Sequence, residues 1–276
     1  MKVLFLILIL FLLIFLKNKK KSTFGNSECK PLPVIDKIFV LSMKVSQERR
    51  QNFLNSYKNL KSGIPLQIIW GVDTKIPKNA EPFRDQVDPY KFSIMYDLDS
   101  GKRERTKLSE FNSGALGCYL GHMEFYRECF RQKLKYALIC EDNVVFSQNF
   151  LAEWKSLSVP NDFDVLFFHA WNTIGEYDVC NSRVKTLKKV MGTKCYLINV
   201  ESMKRYYQHF FPIDNHVDFK YRDLIEKGCR VYYYPLNTIE VVYTKESSTI
   251  GHSVIKSELI KNVNSNEISH HLFEIE

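Results

Sequence analysis

The side chains best suited to chemistry follow the apolar segment Tyr136–Phe146 (YALICEDNVVF), in which a β-like run meets two acids and an amide. In an open α/β sheet, ligands bind just outside the carboxyl ends of the strands. Glu141, Asp142 and Asn143 would face such a cleft. Neighbouring carboxylates there can hold a divalent metal, and the metal can hold a diphosphate. The alternative is an ordinary polar exit from a strand, and the segment alone does not decide.

Two other acid pairs are weaker candidates for a metal. Asp97 and Asp99 lie in a segment rich in Pro and Gly, where a solvated turn is the ordinary explanation. Asp162 and Asp164 precede an apolar strand and so lie at its amino end, the wrong end for a site in this architecture. Position relative to the strand therefore favours the first acid pair.

A second polar cluster, Asp214–Asp218 (DNHVD), offers a general base. Pro212 ends the preceding helix, and Asp214 is well suited to cap the next one. Capping explains one carboxylate but not the second acid or the histidine. A carboxylate beside a hydroxyl nucleophile can act as its general base, and we predict this role for Asp214 or Asp218.

The glycine-rich segment Gly114–His122 opens a helix, where backbone N–H groups favour phosphate. Cys118 and His122 could form a nucleophile–base or metal pair. No further soft ligands lie nearby in the sequence, however, so a packing role is favoured. Arg49 and Arg50 follow the first predicted strand, a position that suits a nucleotide phosphate, although they could simply decorate a helix.

The elements that must position these residues alternate along the chain, which predicts a doubly wound α/β domain. Strands at Lys37–Leu41 and Leu66–Trp70 flank a helix at Gln47–Leu60, and this βαβ unit implies parallel pairing. Thr74–Leu108 is predicted to be a long irregular excursion. Further elements are predicted at Gly114–Gln132, Tyr136–Cys140, Phe150–Leu157, Val165–His169, Thr193–Asn199, Ser202–Phe210, His216–Lys227 and Val231–Tyr234.

The excess positive charge lies mostly beside an apolar N-terminal segment. Of the net charge of +8 on 276 residues, five charges come from lysines at positions 2, 17, 19, 20 and 21. A nucleic-acid footprint needs a basic face within the folded domain. Nucleic acid is therefore excluded as a partner, and a membrane surface is favoured.

The apolar segment itself, Val3–Leu16, is shorter than the roughly 20 residues that span a bilayer, and no small-residue cleavage site follows it. We predict an uncleaved single-pass anchor. A cleaved signal that directs the chain to the secretory pathway and an interfacial helix are the alternatives. The lysines after the apolar run favour a cytoplasmic domain. The predicted organisation is an anchor with its basic flank at 1–21, a linker at 22–34, the catalytic domain at 35–252 and a polar tail at 253–276.

Seven cysteines form an odd set with no C-x-x-C pair, so a disulfide framework is not predicted. One bridge among Cys29, Cys180, Cys195 and Cys229 is left open.

Seven blocks in order over roughly Ile35–Ile250 resemble glycosyltransferase family 25, which includes lipooligosaccharide and procollagen galactosyltransferases. The blocks are IDKIFVLSMKVSQERR, Trp70–Asp73, LGCYLGH, LICEDNVVF, GTKCYLIN, PIDNHVD and Ser247–Ile250. The resemblance implies a GT-A-like fold, a Rossmann-type mixed sheet flanked by helices. It also implies inverting transfer of galactose or glucose from a nucleotide sugar to a hydroxyl of a glycan, a lipid-linked glycan or a protein. Family members often work in a lumen, which conflicts with the cytoplasmic orientation that the lysines favour.

The resemblance also implies roles for the residues singled out above. Glu141, Asp142 and Asn143 would be metal and donor ligands, Arg49 and Arg50 donor-phosphate contacts, Asp214 or Asp218 the base, and Cys118 and His122 braces of the site. Asn143 stands where the family has a second aspartate. An amide can ligate a cation but adds no charge, so use of a divalent metal, with Mn²⁺ expected, depends on this position. A catalytically silent relative that binds sugar or protein is the alternative.

Overall fold

The computed structural model describes residues 28–103, 110–177, 180 and 183–242. The strands are β1 Cys29–Pro31, β2 Lys37–Ser42, β3 Leu66–Trp70, β4 Tyr136–Glu141, β5 Val144–Phe146, β6 Ser158–Pro160, β7 Val165–His169, β8 Asn172–Tyr177, β9 Lys185–Met191, β10 Cys195–Asn199, β11 Val231–Tyr233 and β12 Ile239–Val241. The helices are α1 Gln47–Leu60, α2 Pro77–Ala80, α3 Pro89–Asp99, α4 Ser113–Arg131, α5 Phe150–Ser156, α6 Val200–Lys204 and α7 Val217–Glu226, with 3₁₀ turns at Glu81–Gln86 and Tyr207–Phe210.

Eight strands form one mixed sheet in the order β3-β2-β4-β10-β7-β11-β9-β8. Strand β2 pairs in parallel with β3 and β4, as the βαβ unit predicts. Strand β10 runs antiparallel between β4 and β7, with Cys195 opposite Cys140 on one side and His169 on the other. The amino end of β10 therefore lies at the same sheet edge as the carboxyl ends of β4 and β7.

Helices cover both faces of the sheet because alternate strand residues point to opposite sides. Ala137 and Ile139 of β4 pack in the cluster that includes α3, α4, α6 and α7. Leu138 and Cys140 pack in the opposite cluster, with α1 and α5. The predicted mixed sheet flanked by helices is thus confirmed.

The prediction of an irregular excursion at Thr74–Leu108 was wrong for residues 77–99. Residues 77–99 form α2, a 3₁₀ turn and α3. Pro77 and Pro89 begin helices rather than break them, since a proline at the first helical position lacks only an N–H that would be unpaired anyway. The Asp88 carboxylate caps α3 by accepting from Lys91 N at 2.9 Å. The β8–β9 hairpin at the sheet edge had no counterpart among the predicted elements.

The segment that precedes the domain is joined to it. Strand β1, within the range predicted to be a linker, pairs with β6, and Cys29 forms a disulfide with Cys180 across a Cα–Cα distance of 5.7 Å. The other five cysteines are free thiols. The predicted anchor at Val3–Leu16 and the tail at 253–276 lie outside the described residues. Within residues 28–242 as described, no helix is long and apolar enough to cross a membrane.

Candidate active site

Asp142 lies at the centre of the sheet edge, directly after β4, and its side chain is buried. Its Oδ1 forms an ion pair with Arg49 Nη2, and its Oδ2 accepts from Ser42 Oγ at 2.8 Å. Burial raises the pKa of Asp142, while the Arg49 charge and the Ser42 hydrogen bond act in the opposite direction. Asp142 and Arg49, predicted to act together on the donor, are in direct contact.

Glu141 forms the second ion pair of the site, with Lys194 Nζ 2.5 Å from its Oε2. Both side chains are largely buried, at 16% and 27% exposure. Burial alone would raise the pKa of Glu141, but the ammonium group outweighs it and the pKa is lowered. The same contact raises the pKa of Lys194 against the opposing effect of burial. The positive charge of Lys194 is therefore fixed close to that of Arg49.

Cys118 and His122 line the side of this cluster on α4. His122 Nδ1 lies 2.7 Å from Tyr196 Oη, and Nε2 lies 3.2 Å from Thr193 Oγ1. Burial lowers the pKa of His122 to about 4, so the ring is neutral near pH 7. Burial raises the pKa of Cys118, which keeps the thiol protonated. A neutral thiol beside a histidine with both nitrogens occupied does not fit a nucleophile–base pair.

The two base candidates lie in different surroundings. Asp218 Oδ2 accepts from Gly192 N at 2.8 Å, and its charge acts on the Cys118 thiol, as do the charges of Glu141, Lys194 and Arg49. Asp214 is 45% exposed and forms an ion pair at 2.8 Å with the buried Lys220. The structure thus brings Asp218, but not Asp214, into the cluster around Glu141.

Arg50 holds the loop after β2. Its Nη1 donates to Met43 O at 2.8 Å and to Ser42 Oγ at 3.2 Å, and its guanidinium lies 5.0 Å from the centre of the Trp70 ring. Arg49, in contrast, has a buried Nε with no hydrogen-bond partner in the described part of the chain. Of the two arginines, Arg49 has an unused buried donor beside the site.

Next to these residues lies a cleft of about 390 Å³. Its lining comes from the loops after β2 and β3 and from the first turns of α4: Met43, Val45, Ser46, Val72, Asp73, Thr74, Lys75, Gly114, Gly117 and Cys118. A Cβ at Gly117 would lie 2.6 Å from Thr74 Oγ1, and one at Gly121 would lie 2.4 Å from Leu41 Cδ1. Both glycines therefore allow close packing of α4, Gly117 against the loop after β3 and Gly121 against β2.

The predicted metal ligands do not fit a divalent cation as they are arranged. Glu141 and Asp142 each already hold a cationic side chain. The amide Oδ1 of Asn143 is buried and accepts no hydrogen bond from any described residue, yet it adds no charge. The described ranges bring no three His, Cys, Asp or Glu side chains together as a metal site. Use of a divalent metal stays a prediction.

Sequence reasoning missed Lys194 and His169. Lys194 directly precedes β10, and only the antiparallel direction of β10 brings the start of that strand to the carboxyl end of β4. His169 ends β7 at the same edge, and its buried Nδ1 lacks a hydrogen-bond partner among the residues described. Burial lowers the pKa of His169, and so does the charge of Lys194. The one signal in the sequence that could have identified His169 was its position as a polar residue at the end of an apolar strand.

Comparison with known proteins identifies the family. The family model described as "Glycosyltransferase family 25 (LPS biosynthesis protein)" matches residues 35–221, more than half of the chain. The chain belongs to glycosyltransferase family 25. The resemblance found in the sequence is confirmed, and the enzyme class, glycosyltransferase, follows from the family.

Procollagen galactosyltransferase 2 of Mus musculus is 24% identical to this family 25 member over 129 residues, which is 47% of this chain and 19% of that relative. The chain thus matches about a fifth of the relative's length. Among solved structures, the nucleoside-diphosphate-sugar pyrophosphorylase from Vibrio cholerae RC9 has a TM-score of 0.33 at 10% identity, covering 74% of this chain and 94% of that one. Mouse xyloside xylosyltransferase 1 has a TM-score of 0.33 at 9% identity, covering 71% and 74%. Similarity this low supports no argument about function.

Proposed function

We propose that this family 25 member transfers a hexose from a nucleotide-sugar donor to an acceptor hydroxyl, on a GT-A-like fold. The observation that carries the proposal is a pair of fixed cations, Lys194 and Arg49, whose charges both act on Cys118 in the wall of a cleft of about 390 Å³. A departing nucleoside diphosphate develops negative charge, which preorganised cations in a partly buried site stabilise. The buried Nε of Arg49 gives a phosphate oxygen a ready donor. UDP-galactose and UDP-glucose are the donors that the family suggests.

In this proposal Asp218 is the general base. Its two oxygens accept from Gly192 N and Phe219 N at 2.8 and 3.1 Å, so the carboxylate is held in one orientation. Asp218 takes the acceptor proton as the acceptor oxygen bonds to the anomeric carbon. The bond from that carbon to the diphosphate oxygen breaks on the opposite face, and the configuration inverts. Asp214 helps to anchor α7 through Lys220.

We propose that the enzyme acts in an oxidising compartment. Disulfides persist outside the reducing cytosol, and the bridge between Cys29 and Cys180 ties the start of the described chain to the domain. This supports the lumenal or secretory side of the two orientations left open by the sequence, with Val3–Leu16 as the proposed membrane attachment.

The test is release of UDP from UDP-galactose and UDP-glucose, with Mn²⁺ and with EDTA. Asp142→Asn keeps the side-chain shape but removes the charge that holds Arg49, and should lower turnover at least about 100-fold, the scale of one lost transition-state contact. Asp97→Asn, outside the cleft, is the matched control. Turnover unchanged in the Asp142 variant, with the fold intact by circular dichroism, would contradict the proposal.

The alternative of a catalytically silent binding module rests on Asn143, whose amide replaces a charged ligand. It expects no release of UDP from either donor and no calorimetric signal when UDP is added with Mn²⁺. Release of UDP by the wild-type protein would remove it.

A further inference from the structure

Trp171 is a large aromatic side chain that stays 46% exposed beside the proposed active site. It follows β7 by two residues, at the sheet edge where Glu141 ends β4. His169, which ends β7, lies close enough to Glu141 and Lys194 for their charges to affect its pKa. The site therefore extends from β4 across β10 to the segment that carries Trp171.

Gly192 connects this tryptophan to the proposed base. Trp171 N donates to Met191 O at 2.7 Å, and a Cβ built on Gly192 would lie 3.3 Å from Trp171 Cβ. The N–H of the same glycine donates to Asp218 Oδ2 at 2.8 Å. Gly192 has φ of +83°, a conformation that other residues rarely adopt, so both contacts depend on one constrained position. Trp171 and Asp218 are thus held against the same residue.

The location of Trp171 separates it from the donor. The cleft of about 390 Å³ is lined from β2, β3 and α4, whereas Trp171 lies on the other side of β4 and β10 in the sheet order. An acceptor must approach the anomeric carbon from the side opposite the diphosphate. With the nucleotide in that cleft, as proposed, Trp171 lies on the side of the sheet edge from which an acceptor would approach.

We propose that Trp171 is the platform for a sugar ring of a glycan acceptor, and this proposal rests on the proposed function. A pyranose has an apolar C–H face that packs on a flat aromatic ring, and its rim of hydroxyls needs polar partners. The indole and the Asp218 carboxylate together supply both surfaces. A sugar stacked on Trp171 presents a hydroxyl to the base that deprotonates it.

The experiment measures UDP release with no acceptor and then with a panel of acceptors. The panel consists of lactose, maltose, cellobiose and methyl galactosides, with a serine- and threonine-containing peptide as the non-sugar probe. Trp171→Ala should raise the acceptor KM of the best saccharide at least tenfold and leave acceptor-free release within twofold of wild type. Trp171→Phe keeps a flat ring and should recover most of the loss. Tyr90→Ala, which removes a 60% exposed aromatic on α3, is the matched control.

The outcomes separate this inference from the proposed function. Absence of acceptor-free release in the wild type would count against the proposed function itself. Normal release with an unchanged saccharide KM in Trp171→Ala would overturn the acceptor platform alone. So would a panel in which only the peptide, or no saccharide, accelerates release.

Discussion

Replacing Lys194 by methionine tests the electrostatic core of the site most directly. The change keeps the length of the side chain but leaves the Glu141 carboxylate, only 16% exposed, without its cation. At an N–O distance of 2.5 Å and an effective dielectric constant of about 20, the attraction is about 7 kcal/mol before desolvation is subtracted. Removing one partner of a buried pair costs roughly 3–5 kcal/mol. Because both side chains keep some solvent contact, we expect the free energy of unfolding of Lys194→Met to be about 3 kcal/mol below that of wild type.

The assay is urea unfolding followed by tryptophan fluorescence for Lys194→Met, Glu141→Gln and the double variant. With both charges gone, the double variant should recover to within about 1 kcal/mol of wild type, since no unpaired charge remains. Its UDP release should stay at least about 100-fold low, because the cation that offsets the leaving-group charge is still missing.

Two results would refute this reasoning. One is a Lys194→Met variant as stable as wild type, which would mean that solvent already screens Glu141. The other is a double variant no more stable than Lys194→Met, which would mean that the lysine acts through packing rather than charge.

Two further predictions concern the disulfide and the buried histidine. Cys29→Ala should lower the free energy of unfolding by about 5 kcal/mol, because the bridge closes a loop of sequence separation 151. Dithiothreitol should destabilise the wild type by a similar amount and the variant hardly at all, and an insensitive wild type would count against a structural bridge. His122 has a pKa of about 4 in the folded protein against about 6.5 unfolded, so the unfolded chain binds the proton first. The stability that depends on the neutral His122 ring is fully present above pH 6.5, and the free energy of unfolding falls by about 3 kcal/mol as the pH drops to 4. His122→Gln should flatten unfolding curves over this window relative to the control His209→Gln, and parallel pH dependence of the two variants would contradict the assignment.

Some features of this protein could be predicted because they depend on neighbouring residues alone. The apolar runs that form β2 and β3 and the periodic segment between them were predicted to within a residue, since side-chain periodicity is a local property. The acidic exit of β4 was recognised in the same way. An irregular segment was predicted around Pro77 and Pro89, where the structure has helices. In the sequence, a proline that breaks a helix and one that begins a helix look alike without the following turn.

The sequence by itself determined the family, the order of most strands and helices, and the Glu141–Asp142 pair at a strand end. Only the tertiary structure decided what surrounds that pair, because strand direction is set by partners distant in the chain. Once β10 runs antiparallel between β4 and β7, its amino end brings Lys194 to Glu141 from 53 positions away. The β8–β9 hairpin escaped detection because this half-exposed sheet edge lacks a clean apolar alternation. The two acids and Arg49 could be identified from the sequence, but Lys194, the cation that pairs with Glu141, was identified only once the strand order and directions were known.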